Sequence, residues 1–90
     1  MSNRTKSRVA SLTPRQREVV RLVSLGCRQI EIAAILGLAP STVENHRTLA
    51  MKRLGVSRVA LLTRLAIEHR ISPIKDKLTP TELRKMKRRR

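Results

Sequence analysis

The chain has no phenylalanine, tyrosine or tryptophan in its 90 residues. Proteins that hold single-stranded RNA or DNA usually stack bases on aromatic rings. With only arginine planes and two histidines to stack on, duplex nucleic acid is the better-suited partner. There is one cysteine, Cys27, so no intramolecular disulfide can form and a four-cysteine zinc site is excluded. Cys27 reads as a small, half-buried hydrophobe. His46 and His69 stand too far apart in sequence for a metal-ligand pair. No nucleophile–base pair, glycine-rich phosphate loop or metal cluster is present, so neither an enzyme nor a cofactor is expected. No apolar run reaches membrane-spanning length, and the start, MSNRTKSRVASL, lacks the apolar core of a signal peptide. A cytoplasmic protein is expected.

Acidic residues are also scarce. Six Asp and Glu face 21 Lys and Arg, for a formal net charge of +15. That excess predicts attraction to a polyanion, with an anionic membrane surface as the competing partner. The membrane reading lacks a basic amphipathic helix with large apolar anchors. A chain this short makes one small domain with a modest core.

Residues 1–11, with Arg4, Lys6 and Arg8, read as a basic flexible arm. Thr13-Pro14-Arg15-Gln16 opens the first predicted helix, with Thr13 as cap and Gln16 closing a capping box. Val19, Leu22 and Val23 form its apolar stripe, Leu12 packs back on it, and Gly26 ends it. A second helix is predicted over about Gln29–Leu36, burying Ile32, Ala33, Ile35 and Leu36. Its cap position falls on Arg28, a poor capping residue, and a DNA phosphate beside Arg28 would explain that choice. Gly37 stops the helix and Leu38-Ala39-Pro40 makes a turn.

Ser41-Thr42-Val43-Glu44 then reads as another capping box opening a helix to Leu54, stopped by Gly55. Val43, His46, Ala50 and Leu54 should point inward, and Thr42, Asn45, Thr48, Leu49 and Lys52 outward. Two helices joined by so short a turn have the layout of a helix-turn-helix, whose second helix reads the major groove. A fourth helix, capped by Ser57, should reach His69 with Leu62, Ala66 and Ile67 on the core. Leu61, Arg64, Leu65 and Glu68 lie along a further stripe, either peripheral core or a self-association seam. Residues 71–77 read as a linker. Thr79-Pro80-Thr81-Glu82 repeats the capping signal, so a short helix to about Arg88, with Leu83 and Met86 on its face, is expected to be frayed without a partner. The domain proper is therefore placed at 12–71, followed by a basic tail over 72–90.

The strings LTPRQREVVRLVSLG, EIAAILGLAPSTVENH and KRLGVS, in this order from Leu12 to about Ile71, resemble the DNA-binding domain of the LuxR/FixJ regulators, also called the GerE type. The resemblance implies an all-α, four-helix bundle with its third helix in the major groove and its fourth forming a homodimer on a two-fold-symmetric site. It also implies contacts. Thr42, beside Ser41, would touch a phosphate. Glu44, Asn45 and Thr48 would face bases. Arg47 and Lys52 would meet backbone or base edges, and Gln29, next to Arg28, would anchor to phosphate. His46 matches a family histidine that braces the third helix. Glu18 and Glu31 match acidic positions that pair with arginines.

Several positions depart from the pattern. Glu44 stands where many relatives have Lys, Ile30 where a Lys often meets phosphate, and Ala50 where a larger aliphatic is usual. Leu49 would restore part of that volume or meet a thymine methyl. Leu61 replaces a common polar residue, which favours the seam. Most relatives carry a receiver or ligand-sensing domain ahead of this module; the short stretch before Leu12 leads to the expectation of a stand-alone protein.

The function expected is sequence-specific transcription regulation on double-stranded DNA. Asn45 is a candidate for adenine and Arg47 for guanine or phosphate, while Arg88, Arg89 and Arg90 are candidates for the minor groove. A non-specific architectural DNA-binding protein is the second reading. An adaptor touching RNA polymerase is the third: sigma-factor region 4 has a similar helix-turn-helix, but KRLGVS fits the LuxR/FixJ pattern better.

Overall fold

A computed structural model of the chain describes residues 3–87, among which there are six helices and no strand. They are α1 (Asn3–Ala10), α2 (Pro14–Ser24), α3 (Gln29–Leu36), α4 (Pro40–Leu54), α5 (Val59–Glu68) and α6 (Pro80–Lys87). The all-α class agrees with the sequence; the six helices are the four expected of the bundle, the short C-terminal helix also read in the sequence, and α1, which was not expected.

The start of α2 follows its sequence signal. Thr13 Oγ1 accepts from the Gln16 N–H at 3.1 Å, and the Thr13 N–H donates to Gln16 Oε1 at 3.0 Å. Two N–H groups that the helix leaves orphaned are thereby satisfied. Gln16 is buried, and so is Leu12 just ahead of the cap.

The start of α4 differs from expectation. Ala39 is the cap residue, with extended backbone at φ −72°, ψ 146°, and its carbonyl accepts from the N–H groups of Thr42 and Val43. Pro40 takes the first helical position, where its missing N–H costs nothing. Ser41 is thus already inside the helix and cannot cap it, because a capping side chain must hang from extended backbone. The fourth helix shifts likewise: Arg58, not Ser57, holds the cap position of α5, and its carbonyl accepts from Leu61 and Leu62.

Two apolar clusters make the core. The first joins Val9 of α1, Leu12, Val20, Ala50, Leu54, Leu62, Ala66 and Ile71. The second joins Val19, Leu22, Ile32, Ala33, Ile35 and Val43, with Leu78 and Met86 packed on it. Val23 touches both. The helical spacing of α2 explains the division: Val19 and Leu22 face α3 and α4, while Val20 faces α4 and α5.

Both ends of the chain carry more structure than expected. The segment read as a flexible arm contains α1, whose Val9 is buried. Arg17 Nη1 donates to the Val9 carbonyl at 3.1 Å, and Arg53 Nη1 donates to the Ser11 carbonyl at 2.5 Å, fixing the helix end to α2 and α4. Val9 and the fully buried Ala50 belong to the same cluster. Leu49 does not restore the volume that Ala50 gives up, standing 42 % exposed.

The segment read as a frayed tail is docked on α3. Arg21 Nε donates to Asp76 Oδ2 at 2.8 Å, and Arg21 Nη1 donates to Glu82 Oε2 at 2.7 Å. Leu78 and Met86 add apolar contact. Thr79 and Glu82 form the capping box that the sequence announced, at 2.9 and 3.1 Å. A marginal helix is held when it gains tertiary contacts of this kind. The roles suggested for Arg88, Arg89 and Arg90 lie outside the described residues.

Candidate nucleic-acid interface

Helix α4 has two faces set by its spacing. Val43, Ala50 and Leu54 are buried in the two clusters, and His46 is half-buried on the same side. Ser41, Asn45, Thr48, Leu49 and Lys52 are exposed. Thr42, Glu44 and Arg47 are half-buried at the edges of that outer face. Asn45, Thr48 and Lys52, spaced three and four apart, form one polar row free of acids. A side-chain row of amide, hydroxyl and ammonium groups suits base edges and phosphate oxygens.

The angle between α3 and α4 is braced across the turn. Gln29 Nε2 donates to the Pro40 carbonyl at 2.9 Å. One N–H of this amide is therefore engaged inside the motif, while the second remains for an external acceptor. At the C-terminal end of α3, Gly37 adopts the left-handed conformation, φ 69°, that closes the helix and starts the turn.

Arg28 does not cap α3 with its side chain. Glu31 does half the capping work from within the helix: its Oε1 accepts from the Arg28 N–H at 2.7 Å. This bond holds the Glu31 carboxyl below the usual carboxylate range. The weak cap residue thus has an internal remedy. The Arg28 guanidinium is 78 % exposed, with a long 3.5 Å contact to Glu31, and remains available to an anion. Glu18 likewise pairs with Arg15 at 3.3 Å, so both acids expected to serve arginines do so.

Glu44 has no capping role. Its Oε1 accepts from Arg47 Nη2 at 2.6 Å, which partly neutralises both groups at the edge of the outer face. Cys27 is half-buried at the α2–α3 turn, and burial pushes its thiol pKa up. A thiol shifted this way is less reactive, in keeping with a packing role. No cluster of three potential metal ligands exists among the described residues, and no helix of the described residues is long and apolar enough to cross a membrane.

On α5, Leu61 is 46 % exposed, and Arg64 and Glu68 are exposed beside it. Leu65 is partly buried against the first cluster, so it belongs to the core more than to the stripe. Ile67, expected inside, is 38 % exposed. The exposed stripe of α5 is therefore Ala60, Leu61, Arg64, Ile67 and Glu68, rotated from the one read in the sequence.

Sequence reading missed the Arg21–Asp76–Glu82 cluster. The signal was available in part: residues 71–90 contain two acids, and both are spent on this arginine.

The family model for bacterial regulatory proteins of the luxR family (GerE) matches residues 10–66, which run from the end of α1 through most of α5. The chain belongs to the luxR family. Among its relatives, the transcriptional regulatory protein MctR of Rhizobium johnstonii is 38 % identical over 71 residues, covering 79 % of this chain and 33 % of MctR. The transcriptional regulatory protein UhpA of Escherichia coli is 47 % identical over 53 residues, covering 59 % of this chain and 27 % of UhpA. The transcriptional regulatory protein FixJ of Azorhizobium caulinodans is 34 % identical over 74 residues, covering 82 % of this chain and 35 % of FixJ. This luxR-family chain thus spans about a third of the length of these relatives. No solved structure matches it. The family match stops short of α6, so the docked C-terminal helix is an addition to the matched unit.

Proposed function

We propose that this protein is a sequence-specific regulator of transcription that binds double-stranded DNA with α4 in the major groove, as a homodimer. The observation that carries the reading is the outer face of α4: Asn45, Thr48 and Lys52 stand exposed and in line on a helix whose inner face is locked into both clusters. Membership of the luxR family and the regulatory names of its relatives support it.

In this reading the net charge of +15 supplies long-range attraction that weakens steeply with salt. Asn45 pairs with adenine, Thr48 lies over a neighbouring base, and Lys52 meets a phosphate. Ser41, Thr42, Arg28 and Gln29 line the approach of the backbone to the ends of α3 and α4. Arg47 reaches a base or phosphate once it leaves Glu44. Leu61, Arg64 and Glu68 of α5 face a second copy, with Ile67 added and Leu65 buried beneath. Two copies related by a two-fold axis would read half-sites about one helical turn apart.

Selection from random duplex DNA at physiological salt tests the reading, followed by Asn45→Ala and Lys52→Ala on the selected site. Asn45→Ala should relax preference at one base pair, by about 1–3 kcal/mol. Lys52→Ala should weaken all sequences alike. Equal losses on selected and random DNA for both variants would sink sequence-specific recognition and leave the non-specific architectural reading, which the high charge also supports.

A further inference from the structure

We infer that α6 is a second duplex-DNA contact, a basic face latched onto α3 so that it grips phosphates flanking the site read by α4. The inference rests on the DNA-binding reading above and goes beyond it in assigning a partner to a helix outside the family match.

Charge on this segment is sorted by direction. The two acids of residues 71–90, Asp76 and Glu82, both turn inward onto Arg21. Their side chains are only 17 % and 19 % exposed. The outward side carries Arg84, Lys85 and Lys87, all exposed. The same arginine donates to the Lys77 carbonyl at 3.1 Å, so the approach to the helix is held as well. Pairing with Arg21 stabilises the docked helix whatever its role, and it also leaves the outward face without an acid. A phosphate-binding face gains twice, because its repelling carboxylates are neutralised and its cations are held in place.

Position points to the same partner. In a helix-turn-helix the first helix crosses the DNA backbone, and here that helix is α3, on which α6 is packed. Leu78, Met86 and Cys27 share the second cluster's edge, and the Glu82 carboxylate acts electrostatically on the Cys27 thiol. The latch therefore lies on the side of the α2–α3 turn that holds Cys27.

The test compares two variants of the whole chain with wild type on a selected site in a long duplex, by hydroxyl-radical footprinting and by affinity across salt. Arg84→Gln/Lys85→Gln/Lys87→Gln changes only exposed side chains. It should erase protection outside the α4 site and reduce the salt slope by about 2.7, so that its deficit shrinks roughly fortyfold between 50 and 200 mM salt. Asp76→Asn/Glu82→Gln removes two negative charges and so raises the net charge by two. Charge alone would tighten binding, whereas loss of the latch should weaken it and remove the flanking protection. Circular dichroism and the melting of α1–α5 verify that each variant stays folded. Unchanged flanking protection in the triple variant, or tighter binding by the unlatched one, would overturn the inference. Asn45→Ala run in parallel separates the two readings. A relaxed consensus in Asn45→Ala, together with flanking protection that survives the triple substitution, would defeat only the α6 contact, and no consensus at all would defeat the underlying DNA-reading assignment.

Discussion

Glu44 Oε1 and Arg47 Nη2 lie 2.6 Å apart, one turn along the edge of the outer face of α4. The pair places a carboxylate beside a surface otherwise rich in donors, and it occupies an arginine suited to guanine or phosphate. A partly exposed i,i+3 pair of this kind adds only a few tenths of a kcal/mol to stability. Its larger effect is on recognition.

Glu44→Ala should therefore leave folding nearly unchanged and strengthen DNA binding across sequences, since a repelling charge is removed and Arg47 is freed. Affinity measured at two salt concentrations checks this, with the gain expected to be greater at the lower one. A loss of preference for one base, with no general gain, would show instead that Glu44 itself accepts from cytosine N4.

The Arg21 latch predicts an acid-sensitive C-terminal helix. Hydrogen bonds from Arg21 hold the Glu82 and Asp76 carboxyls below their usual ranges, and the same bonds raise the guanidinium pKa. A carboxyl whose folded pKa is depressed stabilises the fold above its unfolded pKa, and that stability is lost as pH falls through the folded value. The docking should thus be intact above about pH 4.5 and weaken progressively below about pH 4. Amide exchange or nuclear magnetic resonance shifts of α6 followed from pH 6 to pH 2 should show it. In Arg21→Gln the acid dependence should be blunted, with about 1.5–3 kcal/mol of docking lost already at neutral pH.

Arg70 has φ 58° and is the non-glycine residue with positive φ among those described. It follows the end of α5, where the Ile71 N–H reaches back to the Ala66 carbonyl at 2.8 Å and closes the helix. This position favours glycine, because a Cβ crowds the carbonyl in left-handed backbone. Arg70→Gly should stabilise the fold by about 0.5–1 kcal/mol after allowing for the greater freedom of glycine in the unfolded chain. Urea unfolding measures this through a higher midpoint at unchanged slope.

Ala50 is fully buried in the cluster that also holds Val9. Ala50→Leu should cost about 1–3 kcal/mol by overpacking, and the strain should fall on α1, the element with least other support. Exchange protection in α1 should drop well before that of α2 or α5. Equal loss of protection in all helices would refute the idea that Ala50 makes the seat for α1.

The central four helices were legible because each carries a local signal strong enough to stand alone: the Thr13–Gln16 box, the apolar stripes, and the glycines at 26, 37 and 55. The outer face of α4 followed from helical spacing once its inner face was known. What escaped depended on partners distant in sequence. Val9 sits in a stretch read as a basic arm, and its burial depends on a cluster drawn from α2, α4 and α5. Glu82 was legible only as the end of a capping box and Asp76 carried no local signal, and Arg21 gives both a tertiary role. The cap of α4 was misplaced because two local signals, Pro40 at the first helical position and Ser41 with Glu44, competed within three residues. On α5, Leu65 takes the peripheral-core place that the sequence left open, while Ile67, expected inside, turns outward because the core closes around Leu62 and Ala66.

The bond from Gln29 to the Pro40 carbonyl joins the first residue of α3 to the first residue of α4. Such a tie fixes the pitch of the reading helix before any duplex arrives. Association then immobilises few backbone torsions that were not already fixed, so the entropy penalty of complex formation falls mainly on side chains such as Lys52 and Arg28.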